Sequence, residues 1–300
     1  MILGIVIGLA SAVMQSGSYI LSRSFMAKNY SAKALTIYSQ LIMGVLALAA
    51  LPFAYPERIT DGTSGEFFLW TLLWLTVIPI GQFCFFRTLR EIEPIKIASL
   101  LGLKIIVLAL IFVFVLRNLL SARQWFAVLI STAAAVGMNW SGGNKFAGKG
   151  LLYLAITLIC FALADIAETR LVRMINSGDL LHDSIAISAL CYGLLGIITI
   201  PALRFIKFDV IQLRAAIPYS VTWLLAMTAL IACFAELNTV FGNVVQASRG
   251  VIAIGLELTL LSLGLSNERV LVSPQMWIRR ILAALLMAAA IVIFSLSGSY

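Results

Sequence analysis

The chain has 300 residues, 62% of them hydrophobic and 11% charged, with a mean hydropathy of +1.04 and a formal net charge of +8. That composition excludes an ordinary soluble domain, and 17 Phe with 6 Trp exclude a disordered chain. A bilayer core of about 30 Å takes roughly 20 apolar residues per helix, which leaves room for about ten spans and for no sizeable domain outside the membrane. No period-two alternation of the kind an outer-membrane barrel needs runs through the sequence, so the expected fold class is an all-α integral membrane bundle. The 21 Lys and Arg against 13 Asp and Glu answer lipid phosphates and short cytoplasmic loops; the expected partner is a lipid bilayer, with no nucleic acid.

In chain order, the first apolar run is Ile2–Ser22. It follows Met1 with no basic stretch and no small-residue cleavage site, so it is expected to remain as a helix. Its Ser11, Gln15, Ser18, Tyr19 and Ser22 fall largely on one helical stripe, which suits either helix–helix hydrogen bonds or a cavity wall. The second run is Ala34–Tyr55. The third, Glu66–Phe86, carries Trp74 and Phe85 in its deeper part, and Pro79 followed by Gly81 predicts a kink that serves either packing or gating. The fourth, Ile97–Leu116, has Lys104 near its centre, and the fifth is Gln124–Trp140. A glycine-rich stretch follows. It holds Gly143-xxxx-Gly148-Lys149, but Gly150 stands where a phosphate-binding loop needs Ser or Thr and no strand precedes it, so it reads as a linker.

The remaining runs are Leu151–Thr169 with Asp165 and Glu168, Ser184–Leu203, Pro218–Leu237, Val244–Leu265 with Arg249 and Glu257, and Met276–Leu296. Trp70, Trp125, Trp140 and Trp277 stand near span ends and are expected to anchor at the interfaces. Cys84, Cys160, Cys191 and Cys233 all lie in apolar stretches without a CxxC pair, so neither a metal nor another cofactor is expected.

A shift of 149 residues lays Cys84-Phe85 on Cys233-Phe234, Ala98-Ser99 on Ala247-Ser248 and Asn118 on Asn267. Residues 1–141 and 151–300, joined by the linker 142–150, then form two repeats of five spans each. An odd number of spans inverts the second copy relative to the first, as in many secondary transporters. With these features the chain resembles the drug/metabolite transporter (DMT) superfamily in its ten-helix EamA-type form. The resemblance covers essentially the whole chain. It rests on the two repeats, on the Ala-Ser pair at the third-to-fourth helix passage of each, and on Ser266-Asn267-Glu268-Arg269 where the family usually has Gly-Glu-Arg. The first repeat departs further, with Arg117-Asn118-Leu119, and the usual Pro of the fourth and ninth helices is missing. The resemblance implies a small-molecule transporter of the cytoplasmic (inner) membrane, with a central cavity between the repeats, and it points towards export.

Ionisable groups inside the spans carry the functional signal, because each costs at least about 2.5–3.5 kcal/mol at mid-membrane and persists where it pairs, lines a wet cavity or acts. Lys104 and Arg249 lie at similar depth on matched helices and together suit an anionic group such as a carboxylate or phosphate. The expected substrate-binding set is Lys104, Arg249, Gln15, Tyr19, Trp74 and Phe85. Glu257, Asp165 and Glu168 are the expected proton-coupling carboxyls, and Pro79 with Gly81 the expected gate. The structural alternative is an ion pair, Lys104 with Glu257, that fastens the two halves.

The expected function is secondary transport of a small metabolite, an amino acid or other carboxylate-bearing compound, by alternating access with or without proton coupling. The competing readings are an uptake carrier or a flippase for an anionic lipid-linked head group, and, further off, a non-transporting subunit or an intramembrane enzyme. An enzyme is not expected, since the chain has one His and no recognisable nucleophile or metal motif. A homodimer is left open.

Orientation follows from the loops. One side carries Arg23, Lys28, Lys33, Arg87, Arg90, Lys96, Lys145, Lys149, Arg204, Lys207, Arg214, Arg269, Arg279 and Arg280; the other carries Arg58, Arg117, Arg123, Arg170 and Arg173. This asymmetry places both termini outside the cytoplasm, against the family's usual arrangement. A phosphatase reporter fused at Tyr300 should therefore be active and a fluorescent protein at the same point dark; the reverse pattern puts both termini inside.

Overall fold

The structure, a computed structural model, describes residues 1–54, 65–90, 100–115, 117, 119–138, 148–175, 177–262 and 274–296. Every regular element among them is helical. In order these are α1 (Ile2–Ala27), α2 (Ala32–Ala54), α3 (Gly65–Thr88), a 3-10 turn (Leu101–Leu103) leading into α4 (Lys104–Phe114), α5 (Ala122–Met138) and α6 (Gly148–Ile175). There follow α7 (Leu180–Thr199) with a 3-10 extension (Ile200–Phe205), α8 (Val210–Leu237), α9 (Thr239–Gln246), α10 (Arg249–Ser262) and α11 (Pro274–Ser295). Six of them, α1, α2, α3, α6, α7 and α8, are long and apolar enough to cross a bilayer, so the chain is a multi-pass membrane protein. Large apolar side chains such as Val45, Phe53, Phe68 and Leu225 point out of the bundle, where lipid takes the place of water.

Several helices extend beyond their apolar runs. Helix α8 starts at Val210, well before the expected Pro218, because Asp209 caps it: its carboxylate accepts from the amides of Ile211 at 2.8 Å and Gln212 at 3.4 Å. Asp179 caps α7 in the same way through Leu181 and His182. Pro218 thus lies inside α8, as Pro52 does in α2 and Pro79 in α3.

The ninth run, expected to be continuous, is two helices. At the Ala247-Ser248 junction the Ser248 amide reaches only Val245, at 3.2 Å, and the Gly250 amide only Ala247, at 3.4 Å, so the winding tightens to three-residue hydrogen bonds. Helix α9 begins one residue after α8 ends. Asn238 joins them at φ +77°, ψ 162°, a conformation that side-chain-bearing residues rarely take, and its side-chain oxygen accepts from the Phe241 amide at 2.9 Å.

The closest helix pairings all join the first half of the chain to the second: α1 with α8, α3 with α6, α2 with α7 and α5 with α11. Small residues allow these approaches. Gly44 of α2 and Gly196 of α7 meet backbone to backbone, and a Cβ on either would come within 2.6 Å of the other's Cα. Gly4 and Gly8 of α1 accommodate Glu236, Leu237 and Cys233 of α8, and Gly81 of α3 accommodates Cys160 and Phe161 of α6. Gly44→Ala and Gly196→Ala should each lower stability by about 1–3 kcal/mol through forced separation of α2 and α7. Gly65→Ala, which meets nothing within 4 Å, should be near neutral; thermal unfolding of the detergent-purified protein reads the difference.

Candidate functional site

Lys104 and Arg249 are the first residues of α4 and α10, each placed just after a turn that interrupts its span. A cation at a helix start opposes the helix dipole, and both side chains are buried, with 3% exposure each, so their surroundings must compensate them. The two are compensated differently.

Lys104 Nζ donates to Asp165 Oδ2 of α6 at 2.5 Å, an ion pair almost sealed from solvent. The same oxygen accepts from Asn243 Nδ2 of α9 at 2.7 Å, and Asn243 also donates to the Thr239 carbonyl. Thr169, one turn beyond Asp165, donates to the Asp165 carbonyl at 2.8 Å, and its hydroxyl accepts from Thr239 Oγ1 at 2.8 Å. Asp165 thus ties α4, α6 and α9 together.

Arg249 meets no carboxylate among the described residues. Its Nη1 donates to Gln15 Oε1 at 2.5 Å and to the Tyr19 hydroxyl at 3.3 Å, both on α1, and its Nε is buried without a partner. Gln15 in turn donates to Met227 Sδ, and Ser16 donates to the Arg249 carbonyl. Glu168, the other buried carboxyl of this region among the described residues, accepts from Trp74 Nε1 at 2.7 Å, while its Oε2 has no partner. One guanidinium and one carboxyl group are therefore each left short of a hydrogen-bond partner in the same interior.

Between these groups lies a cavity. Gln15, Tyr19, Lys104, Asp165 and Arg249 form its polar side, and Phe161, Trp223 and Met227 are the largest of its apolar neighbours. Its volume is about 10 Å³, room for a single water. Behind it an aromatic cluster fills the centre of the bundle: Tyr19 lies 5.0 Å from Phe85 and 6.3 Å from Trp223 between ring centroids, and Tyr219 stacks on Trp223 at 5.7 Å.

Of the expected substrate-binding residues, Lys104, Arg249, Gln15 and Tyr19 share this cavity. Trp74 and Phe85 stand behind it, Trp74 on Glu168 and Phe85 against Tyr19. Lys104 takes Asp165 as its partner, where the structural alternative had named Glu257, because α6 packs directly on α4. Glu257 falls on α10, with its side chain outside the described residues. Helix α3 continues through Pro79, and Gly81 serves close packing, its carbonyl accepting from Thr157 at 3.4 Å. On the first-helix stripe, Ser18 and Ser22 bond to their own helix and Ser11 to the Ala226 carbonyl of α8, so only Gln15 and Tyr19 reach the cavity. Sequence reasoning passed over Asn243, Trp223 and Met227. The signal for Asn243 was present, since a carboxamide in an apolar run needs a partner much as a charge does.

No family model matches this chain, and no curated protein matches it. Among solved structures, the crystal structure of one protein, described by no activity, is similar over 98% of this chain and 97% of its own, with a TM-score of 0.67 and 15% sequence identity. That likeness shows that the helix arrangement is one found in a solved protein over nearly the whole length.

Removing one partner of a sealed ion pair costs about 3–5 kcal/mol, whereas replacing both with neutral groups leaves no charge uncompensated. Lys104→Met should therefore destabilise the protein strongly, and the double variant Lys104→Met, Asp165→Asn should recover most of the loss in a thermal melt. Equal damage in both would mean that the pair is not what stabilises this region.

Proposed function

We propose that the protein is a secondary transporter that moves a small carboxylate-bearing metabolite across the membrane by alternating access, with the cavity at Arg249 as its substrate site. The observation that carries this reading is a fully buried guanidinium that meets no described carboxylate and holds an unpartnered Nε at a polar cavity. A bundle that needed only to hold together would gain more from apolar contacts at that position. A carboxylate entering the cavity would accept a forked hydrogen bond from Arg249, displacing the neutral acceptor oxygens of Gln15 and Tyr19.

The reading includes ten spans arranged as two inverted five-helix repeats, as the resemblance to drug/metabolite transporters implies. Exchange of the halves turns the α1–α8 pairing into α6–α3 and returns α2–α7 and α5–α11 to themselves, which is the observed set. The 149-residue shift also lays Trp74 on Trp223 and Tyr19 on Glu168, so Trp74 with Glu168 and Trp223 with Tyr19 occupy matching places. The fourth and ninth spans both carry a non-α turn just before their cation, the discontinuity from which transporter sites are built. The loop charges orient the termini outside, and export is the direction that the resemblance favours.

Proton coupling, where it operates, is assigned to Glu168. Asp165 is held by Lys104 and Asn243, while Glu168 keeps one oxygen unpartnered and can exchange a proton without breaking an ion pair. Glu257 is the second candidate, from sequence. In proteoliposomes loaded with labelled amino acids, Arg249→Gln should lower counterflow by at least about tenfold, the loss of one charged hydrogen-bonding contact. Glu168→Gln should keep exchange and lose its response to a pH gradient. Undiminished flux in Arg249→Gln would refute the site.

A further inference from the structure

A second concave site lies at the end of the bundle where α4 and α6 finish and α8 turns into α9. It is a cleft of about 270 Å³ whose polar lining is Thr169, Arg170, Arg173, Asn238 and Thr239, with Phe112 on its apolar wall. We propose that this cleft is an anion-binding vestibule for a small carboxylate or phosphate, and that the Thr169–Thr239 hydrogen bond is the gate between it and the closed cavity.

Three observations converge. Arg170 and Arg173 are three residues apart on α6 and so project from one face, each within a turn of Thr169. Neither forms an ion pair with a described carboxylate, so two like charges share one cleft without compensation. Two guanidinium groups so placed present forked donors to one anion, and a concave wall strengthens their field.

The cleft and the deep cavity are linked through the hydrogen bonds of Asp165, which lines the cavity. Thr169 lines the cleft and donates to the Asp165 carbonyl; Thr239 lines the cleft and accepts, through its carbonyl, from the Asn243 amide that also holds Asp165. At 1.5 Å per residue, Arg170 and Arg173 lie only about 7.5 and 12 Å along α6 from Asp165. The 2.8 Å Thr169–Thr239 bond therefore lies beside Asp165, between the cleft and the smaller cavity. The same end carries the sparser set of loop cations, which makes it the outer face in the orientation argued above.

Anion binding at the cleft stands independently of transport; only the passage from cleft to cavity rests on the transport reading. The test titrates the detergent-purified full chain with succinate and, separately, with inorganic phosphate at constant ionic strength, and follows the melting temperature. Wild type should be stabilised. Arg170→Gln, Arg173→Gln should bind at least about tenfold more weakly, Arg249→Gln should keep the effect, and Arg170→Lys, Arg173→Lys should fall between, because lysine retains charge but loses the fork. The single Gln variants, each weakened, serve if the double variant does not fold.

Absence of stabilisation in wild type, or stabilisation that survives the double Gln change, overturns the vestibule. So does loss in Arg249→Gln alone, which would place the anion in the deeper cavity. In proteoliposomes, unaltered KM in the Arg170→Gln, Arg173→Gln variant would remove the cleft from the path while leaving transport intact. Anion binding intact with no flux in wild type would remove transport and leave the cleft.

Discussion

The arrangement depends on how buried cations are compensated. Two helices begin inside the bundle with a lysine and an arginine, where the helix dipole and the low dielectric both oppose positive charge. Lys104 is answered by Asp165, and that single contact brings α4 and α6 into register while Asn243 adds α9 to the same carboxylate. Among the described residues Arg249 is answered by neutral oxygens of α1, with no carboxylate beside it. The contrast divides the interior into a fastened part and a part poised to accept a negative group.

Close approach of helices makes those contacts reachable. Lipid tails give helices no hydrophobic reason to associate, so packing and polar contacts must supply it. Glycines at the α1–α8, α2–α7 and α3–α6 crossings remove the side chains that would hold the backbones apart. Since each of these pairs joins the two halves, the halves share one interior, and the cavity draws on both: Gln15, Tyr19 and Lys104 come from the first, Asp165, Met227 and Arg249 from the second. The large aromatic rings fill the centre behind it and leave the polar groups concentrated at one small opening.

A closed cavity of water size beneath an open cleft of about 270 Å³ gives the bundle a direction. On the cleft side the barrier is the Thr169–Thr239 contact. On the opposite side the space is filled by Phe86, Tyr219 and the buried Gln40–Gln82–Thr199 network, in which Gln82 Nε2 donates nowhere further. The Thr169–Thr239 contact is held by hydroxyl groups, which can exchange partners at little cost.

Length, apolar composition and the spacing of charge determined, from sequence alone, a multi-pass helical membrane protein. They also singled out Lys104, Arg249, Gln15, Tyr19, Asp165 and Glu168, polar groups that the structure buries in the bundle interior. These were legible because a bilayer penalises polar groups so heavily that each exception stands out against its run. Helix ends were less legible: caps such as Asp209 and Asn238 extend or reverse a helix through local hydrogen bonds that hydropathy does not register. Which cation meets which carboxylate was decided only by the tertiary structure. Lys104 takes Asp165, sixty-one residues away, and Arg249 takes Gln15 and Tyr19 at the far end of the chain, because the bundle packs α6 against α4 and α1 against α10. Such pairings are a property of which helix faces come within a few ångströms, and linear spacing holds no record of that.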